Sequence, residues 1–406
     1  MTVLRPVPVA LATALLLALA GCGSGDDGPT TTSSAAGARP TPRAATTDVG
    51  GVRPFAASSV WNQRVSGASA ALDSPRMIRL AAESPGPADD ISRRSRLNRR
   101  RLFVNTRGWA PPVYRVGTGR PVRLLCRQGR CVAGGGAVPS ELRLPDDASS
   151  DPGHDGWMIL VDEQQDLVWD LWRARRVGDT ISYQFSRRWR LSGDGAGILE
   201  SAATPRTPSV RGSGVPLLAG LIRPQELRAG RIEHALAISV PSPAAGRFVR
   251  PASTTNGLGP VGSLPEGARL RLKADAATRA LRAAGRLRTS DPAVVDPAEI
   301  NRANPLVSSS AIEGGDDAST LTGDGSTGRL DTVRERSARA IVRALREYGA
   351  IVVDRADAPT LYAQSNVDYG RLLYGNELGE LRLTDFEVVD LGRELEDDDA
   401  PEEAVR

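Results

Sequence analysis

A mainly β chain, an antiparallel β-sandwich of jelly-roll type with a few packed helices, is what three observations predict. From residue 102 short apolar segments alternate with turn residues: LFVNT, VYRVG, VRLLC, CVAGG, WMILVD, LVWDLW and ISYQF. The stretch GWMILVDEQQDLVWDLWRAR reads as two strands, with successive side chains on opposite faces, around a polar turn. Helical periodicity is clearest in a single late segment, residues 332–348.

The chain opens MTVLRPVPVALATALLLALAGCGSG, with one Arg, an apolar run from Val7 to Ala20 and the tetrad Leu19-Ala20-Gly21-Cys22. This is the layout of a cleaved secretory signal. The tetrad resembles the lipobox of bacterial lipoproteins. That resemblance implies removal of residues 1–21, a diacylglyceryl anchor on Cys22, and a location on the extracytoplasmic face of the bacterial cell membrane. Residues 22–52 are rich in Gly, Ser, Thr and Pro and show no buried-face pattern, so they read as a flexible linker.

One large β-rich domain is expected over residues 53–391, beginning at Phe55 to Val65 and followed by a short helix from Pro75 to Glu83. An Arg run (Arg93, Arg94, Arg96, Arg99, Arg100, Arg101) reads as a solvated loop. In LLCRQGRCV, Cys126 and Cys131 flank four residues that include Gly129, and an oxidising exterior favours a disulfide closing a hairpin there. Zinc would need a second pair of ligands, which the chain does not supply. In the next hairpin Trp157, Ile159 and Val161 share one face. On its return strand Leu167, Trp169 and Leu171 share a face, and Val168, Asp170 and Trp172 share the other.

Residues 193–213 are irregular, and SGVPLLAGLIRPQELRAGRIEHALAISVP is the most distinctive apolar stretch. Pro224 starts a short helical turn that Gly230 ends, and Ile232 to Val240 reads as a strand. Residues of about 286–330 form a Ser/Asp/Gly/Thr-rich surface insertion. Its DDAS and GDGSTG share calcium-loop composition but lack the loop pattern and terminal Glu of an EF-hand, so no cofactor is expected. Asp331 caps the helix TVRERSARAIVRALREYG, AIVVD is the next strand, LRLTDFEVVDL the last, and residues 392–406 form an acidic tail read as disordered.

The net charge is +4, Lys273 is the only Lys, and no basic motif interleaved with aromatics occurs. Nucleic acid is therefore not an expected partner. A Gly-x-Ser-x-Gly elbow, a phosphate loop with Lys, Ser-x-x-Lys and HExxH are all missing from the sequence. With two histidines in 406 residues, acid–base chemistry must draw on His154 or His234, and a Ser213–His234 hydrolase stays open. Four of the six Trp (Trp157, Trp169, Trp172 and Trp189) fall in one short span. Trp157 and Trp169 read as core. Trp172 beside Asp170 suits a sugar platform, with His154 a second substrate contact.

Two carboxylates flanking a glycosidic bond hydrolyse it at separations of ~5 Å or ~6.5–9.5 Å. Asp155, Asp170 and Glu200 are the candidates. The leading assignment pairs Asp170, as carboxylate base or nucleophile, with His234, which orients it or shuttles protons. The expected function is binding, with cleavage as its stronger form, of an envelope or environmental polysaccharide. The competing reading is a non-enzymatic surface protein with a structural or adhesive role.

The strings SGVPLLAGLIRPQELRAGRIEHAL, GHDGWMILVD, VWDLW and REYGAIVVD also resemble a largely uncharacterised family of exported bacterial proteins. The likeness spans most of residues 53–391. Similar proteins carry a His at the position of Trp157, a Glu at that of Asp170, His-Ala-Leu at His234, Ala235 and Leu236, and an Asn-Gly-like ending where Arg355-Ala356-Asp357 stands. The resemblance implies a shared fold more than a shared activity. If the missing histidine is catalytic in the relatives, this chain is inactive or uses His154 instead.

Overall fold

The computed structural model describes residues 53–82, 101–127, 131–133, 138–198, 210–289, 330–356, 358–389 and 392–396. The expectations for Cys22, the linker, the Arg run up to Arg100, Glu200, Asp357, most of the insertion and the end of the tail lie outside these residues. Among the described residues no helix is long and apolar enough to cross a membrane.

The strands in chain order are β1 (Phe103–Asn105), β2 (Val113–Arg115), β3 (Arg120–Cys126), β4 (Val132–Ala133), β5 (Glu141–Leu144), β6 (Met158–Asp162), β7 (Leu167–Trp172), β8 (Arg175–Val177) and β9 (Thr180–Tyr183). They continue with β10 (Phe185–Arg190), β11 (Leu236–Val240), β12 (Arg247–Val249), β13 (Arg269–Leu272), β14 (Ala350–Arg355), β15 (Thr360–Tyr362), β16 (Phe386–Val388) and β17 (Glu394–Glu396). Four α-helices accompany them: α1 (Ser74–Ala82), α2 (Pro224–Ala229), α3 (Ala274–Ala284) and α4 (Thr332–Glu347).

The mainly β character holds, but the sheets are mixed, not antiparallel. A six-stranded sheet runs β1-β15-β11-β14-β13-β16, a five-stranded sheet β2-β6-β7-β10-β4, a four-stranded sheet β5-β3-β9-β8, and β12 pairs with β17. Parallel pairs join strands distant in sequence, such as β11 with β14 and β2 with β6. A parallel partner requires a long crossover, and α4 is part of the one that leads to β14.

The predicted hairpin is β6–β7, with Met158 opposite Leu171 and Ile159 opposite Asp170. Its two faces enter different cores. Ile159, Val161 and Val168 join Ala237, Ile351 and Val353 of the six-stranded sheet. Met158, Leu160, Trp169 and Leu171 pack instead with Val122, Leu124 and Ile181 of the four-stranded sheet. The other face of the six-stranded sheet, with Leu236, Ile238 and Val352, packs on helix residues Ile78, Ala280, Ile341 and Leu345. Helices thus cover one face of that sheet and a second sheet shares a core with the other, which hides both faces of β11 and β14 from water.

Local signals worked where a single residue dictates geometry. The Asp331 side chain accepts from Val333 N and Arg334 N at the start of α4, and Gly230 closes α2 in the left-handed region at φ 67°. The sulfurs of Cys126 and Cys131 lie at bonding distance with Cα atoms 5.6 Å apart. The strands they flank do not form a hairpin, however: β3 pairs with β5 and β9, and β4 with β10. The cystine therefore links two sheets. Part of the acidic tail is also ordered, because Glu394 and Glu396 flank Arg247 across the β12–β17 pair, with Arg247 Nη2 2.9 Å from Glu396.

Candidate functional site

His234 and Asp170, paired in the sequence reading, are committed to different partners. His234 is buried just before β11, its Nδ1 2.8 Å from the Ala235 carbonyl and its Nε2 2.9 Å from Glu226 Oε1. Glu226 also takes Arg223 Nη2 at 2.7 Å. Burial opposes ionisation of Glu226, yet the charges and hydrogen bonds of His234 and Arg223 prevail and lower its pKa to about 2. This hydrogen-bonded Arg–Glu–His cluster ties α2 to the entry of β11.

Asp170 is fully buried on the opposite sheet, where period two turns it toward the core shared with the six-stranded sheet. Its Oδ2 accepts Trp189 Nε1 and Leu217 N, both at 2.8 Å. Desolvation dominates, and despite these bonds and the nearby Arg211 and Arg187 it raises the Asp170 pKa to about 7. The backbone donor at Leu217 comes from the SGVPLL stretch. That segment is pinned further by Ser213 N to Val353 O at 3.1 Å and by Gly212 N to Asp354 Oδ2 at 3.2 Å. Its apolar character thus serves a loop threaded between β7 and β14.

Arg211, 1% exposed, sits at the centre of this loop over the rings of Trp157 and Tyr362, 5.8 and 5.3 Å from their centroids. Burial lowers its pKa, while Tyr362, Asp354, Asp170 and Glu266 act to hold its charge. Asp354 accepts Asn256 Nδ2 at 2.7 Å. Glu266, fully buried, is pushed well above the ordinary carboxyl range by desolvation and by the charge of Asp354. Asp170 Oδ1, Ser213 Oγ and Glu266 Oε1 are buried without a hydrogen-bond partner among the described residues. With Arg211 these atoms make a polar centre inside the fold in which burial opposes the charge of each carboxyl.

Asp354 connects this centre to the surface, since its charge, after desolvation, raises the pKa of Asp155. Asp155 is exposed as a residue, and its carboxylate accepts a hydrogen bond from the Trp172 side chain. His154 Nδ1 lies 2.7 Å from Asp151 Oδ2, and its ring meets Trp109 edge-on at a centroid distance of 4.4 Å. Arg173 stands over the Trp172 ring at 4.4 Å. Trp109, Asp155 and Arg173 all have left-handed backbones, at φ 54°, 56° and 49°. Non-glycine residues in that region are uncommon and cost on the order of 1–3 kcal/mol each. Three around one histidine form a rim whose shape the fold imposes.

The structure thus brings together Asp155, His154 and Trp172, joins them through Asp354 to the Arg211 centre that holds Asp170, and places His234 in a separate hydrogen-bonded cluster. Sequence reading missed Arg211, Glu266 and Asp354. The first lies within two residues of Ser213, but a single Arg among 52 basic residues carries no mark of burial. Among the described residues no group of three or more His, Cys, Asp or Glu side chains is arranged to hold a metal ion. Comparison of the chain with protein-family models, with curated proteins and with solved structures finds no match.

Proposed function

We propose that this chain is a lipid-anchored extracytoplasmic protein that binds a polysaccharide of the cell envelope or environment at the rim formed by Trp109, His154, Asp155, Trp172 and Arg173. The Leu19-Ala20-Gly21-Cys22 tetrad supports the anchor and the compartment. The observation that carries the site is the left-handed backbone at Trp109, Asp155 and Arg173 around His154 and Trp172. Backbone strain of this kind persists where the surrounding structure over-determines it, and it concentrates at binding and catalytic sites. Indole faces stack on the apolar faces of sugar rings, while Asp155, His154 and Arg173 offer acceptors and donors for hydroxyls.

Cleavage is the stronger form of the same reading. Desolvation and the neighbouring Asp354 carboxylate raise the pKa of Asp155, the direction a general acid requires, and Asp155 is exposed. The burial of Asp170 and His234 favours a second reading, a non-enzymatic surface protein in which the same rim is adhesive.

One experiment separates them. The full chain and its His154→Ala and Asp155→Asn variants are incubated with immobilised envelope and plant polysaccharides, retention is measured, and released products are identified by mass spectrometry. Retention lost in the folded His154→Ala variant supports binding at the rim, and products lost in Asp155→Asn add catalysis. Retention without products leaves the adhesive reading. No retention on any polymer refutes polysaccharide binding for that panel.

A further inference from the structure

A concavity of about 420 Å³ lies on the five-stranded sheet, at the end of β7 and β10 away from Trp172. Trp189, Phe55 and Leu167 supply apolar lining, and Gln165, Arg188 and Arg190 supply polar lining. Its volume is in the range of small-molecule sites.

The loop that walls it is held from behind. Phe55 N donates to Leu191 O at 2.7 Å, Ala56 N to Gly193 O at 2.8 Å, Trp61 Nε1 to Gly195 O at 2.8 Å, and Ser59 Oγ to Asp194 O at 2.5 Å. Gly195 has φ 67°, and a Cβ there would come within 2.7 Å of the Phe55 ring, so only glycine lets the loop close on its support. The cleft is preformed, which spares a ligand the cost of ordering it.

Two groups of its polar lining, Arg190 and Gln165, are exposed. Among the described residues the Arg190 guanidinium makes no hydrogen bond. Its nearest carboxylate, Asp166, is 3.7 Å away and already accepts Ser192 N and Oγ at 2.8 and 2.6 Å. The Gln165 amide is likewise unbonded within the described residues. The one carboxylate of the lining, Asp194, is occupied in part by Ala196 N at 3.0 Å. The Arg190 guanidinium and the Gln165 amide, beside the apolar lining of Phe55, Leu167 and Trp189, match a ring with one apolar face that also bears a carboxylate.

We propose that this cleft is a subsite for a uronic-acid-containing oligosaccharide, so that the polymer bound by the protein is anionic. The inference rests on the polysaccharide-binding reading and names its substrate class. A link to the buried centre is built in, because the indole N–H of Trp189 is the donor to Asp170.

The test is calorimetric titration of the full chain with oligogalacturonate and with a neutral cello-oligosaccharide of equal length. Oligogalacturonate is expected to bind in preference, to weaken as salt rises from about 50 to about 500 mM, and to lose about tenfold in affinity in Arg190→Ala. Arg175→Ala, which removes the same charge from β8, is expected to change nothing. Equal binding of the neutral oligomer, or an unaltered Arg190→Ala, overturns the cleft while leaving the polysaccharide reading intact. Loss in His154→Ala but not in Arg190→Ala assigns the sugar to the rim and also overturns the cleft. Failure of the wild-type chain to bind either oligomer overturns the cleft, and only a failed retention panel overturns the broader reading as well.

Discussion

Replacing Asp170 by Asn is expected to make the protein more stable at alkaline pH and to leave it unchanged in acid. Its pKa rises from the ordinary 3.8 to about 7 in the fold because no water reaches it. The native state therefore holds a proton that the unfolded chain releases at 3.8. Stability from this group is fully present below pH 3.8, falls as pH climbs toward 7, and stays lost above. The difference corresponds to about 4 kcal/mol, an upper bound in order of magnitude. Asn mimics the protonated form, since its carbonyl oxygen can keep the bonds from Trp189 Nε1 and Leu217 N. Urea denaturation of both proteins at pH 4, 5.5, 7 and 8.5 reads the effect. The advantage of Asp170→Asn should grow from near zero at pH 4 to a few kcal/mol at pH 8.5. A difference that is flat with pH, or an Asn variant less stable at pH 8.5, would refute the burial argument.

The Glu226 cluster has the opposite sign. Its pKa is lowered from 4.5 to about 2, so its stability is present above 4.5 and lost as pH falls toward 2. Glu226→Gln should cost ~3 kcal/mol at pH 7 by removing the buried carboxylate that Arg223 and His234 bond, and its deficit should shrink below pH 4.5 in the same denaturation assay. At Gly220, φ is 70° and a Cβ would lie 2.3 Å from Ala237 N and 2.8 Å from the Trp61 ring. Neither neighbour can yield without moving β11, so Gly220→Ala should lower stability by at least ~2 kcal/mol, seen as a drop in Tm by calorimetry.

The sequence was most readable where local pattern decides the outcome. In the β6–β7 hairpin each face enters a different core, so both strands read as short apolar runs on either side of a polar turn. Helix α3 was missed for lack of such a signal. Its buried face is Ala276, Ala277, Ala280 and Ala284, and alanine carries little hydrophobic contrast against a polar face. Mixed sheet order was out of reach because Leu236 finds its partner Ala350 only through a crossover that local pattern does not encode. The cystine was legible from its spacing, but not the fact that its flanking strands belong to different sheets.

The site divides the same way. Asp170 stood out as a carboxyl between Val and Trp in an apolar strand, and the fold does bury it on that face. His154 and Asp155 were legible as titratable groups on a Gly-flanked loop beside a Trp-rich hairpin, and they share a rim with Trp172. The pairing of Asp170 with His234 was chemistry without topology. The histidine's neighbours come from α2, eight residues upstream, while the true company of Asp170 is Arg211 and Trp189.

Hydroxyl-radical footprinting of the full chain, free and saturated with the best-retained polysaccharide, tests the central claim most directly. Protection of Trp109, His154 and Trp172, with the buried Trp61 unchanged, is the expected result. Full reactivity of those three residues in the presence of bound polymer would contradict the rim as the binding surface.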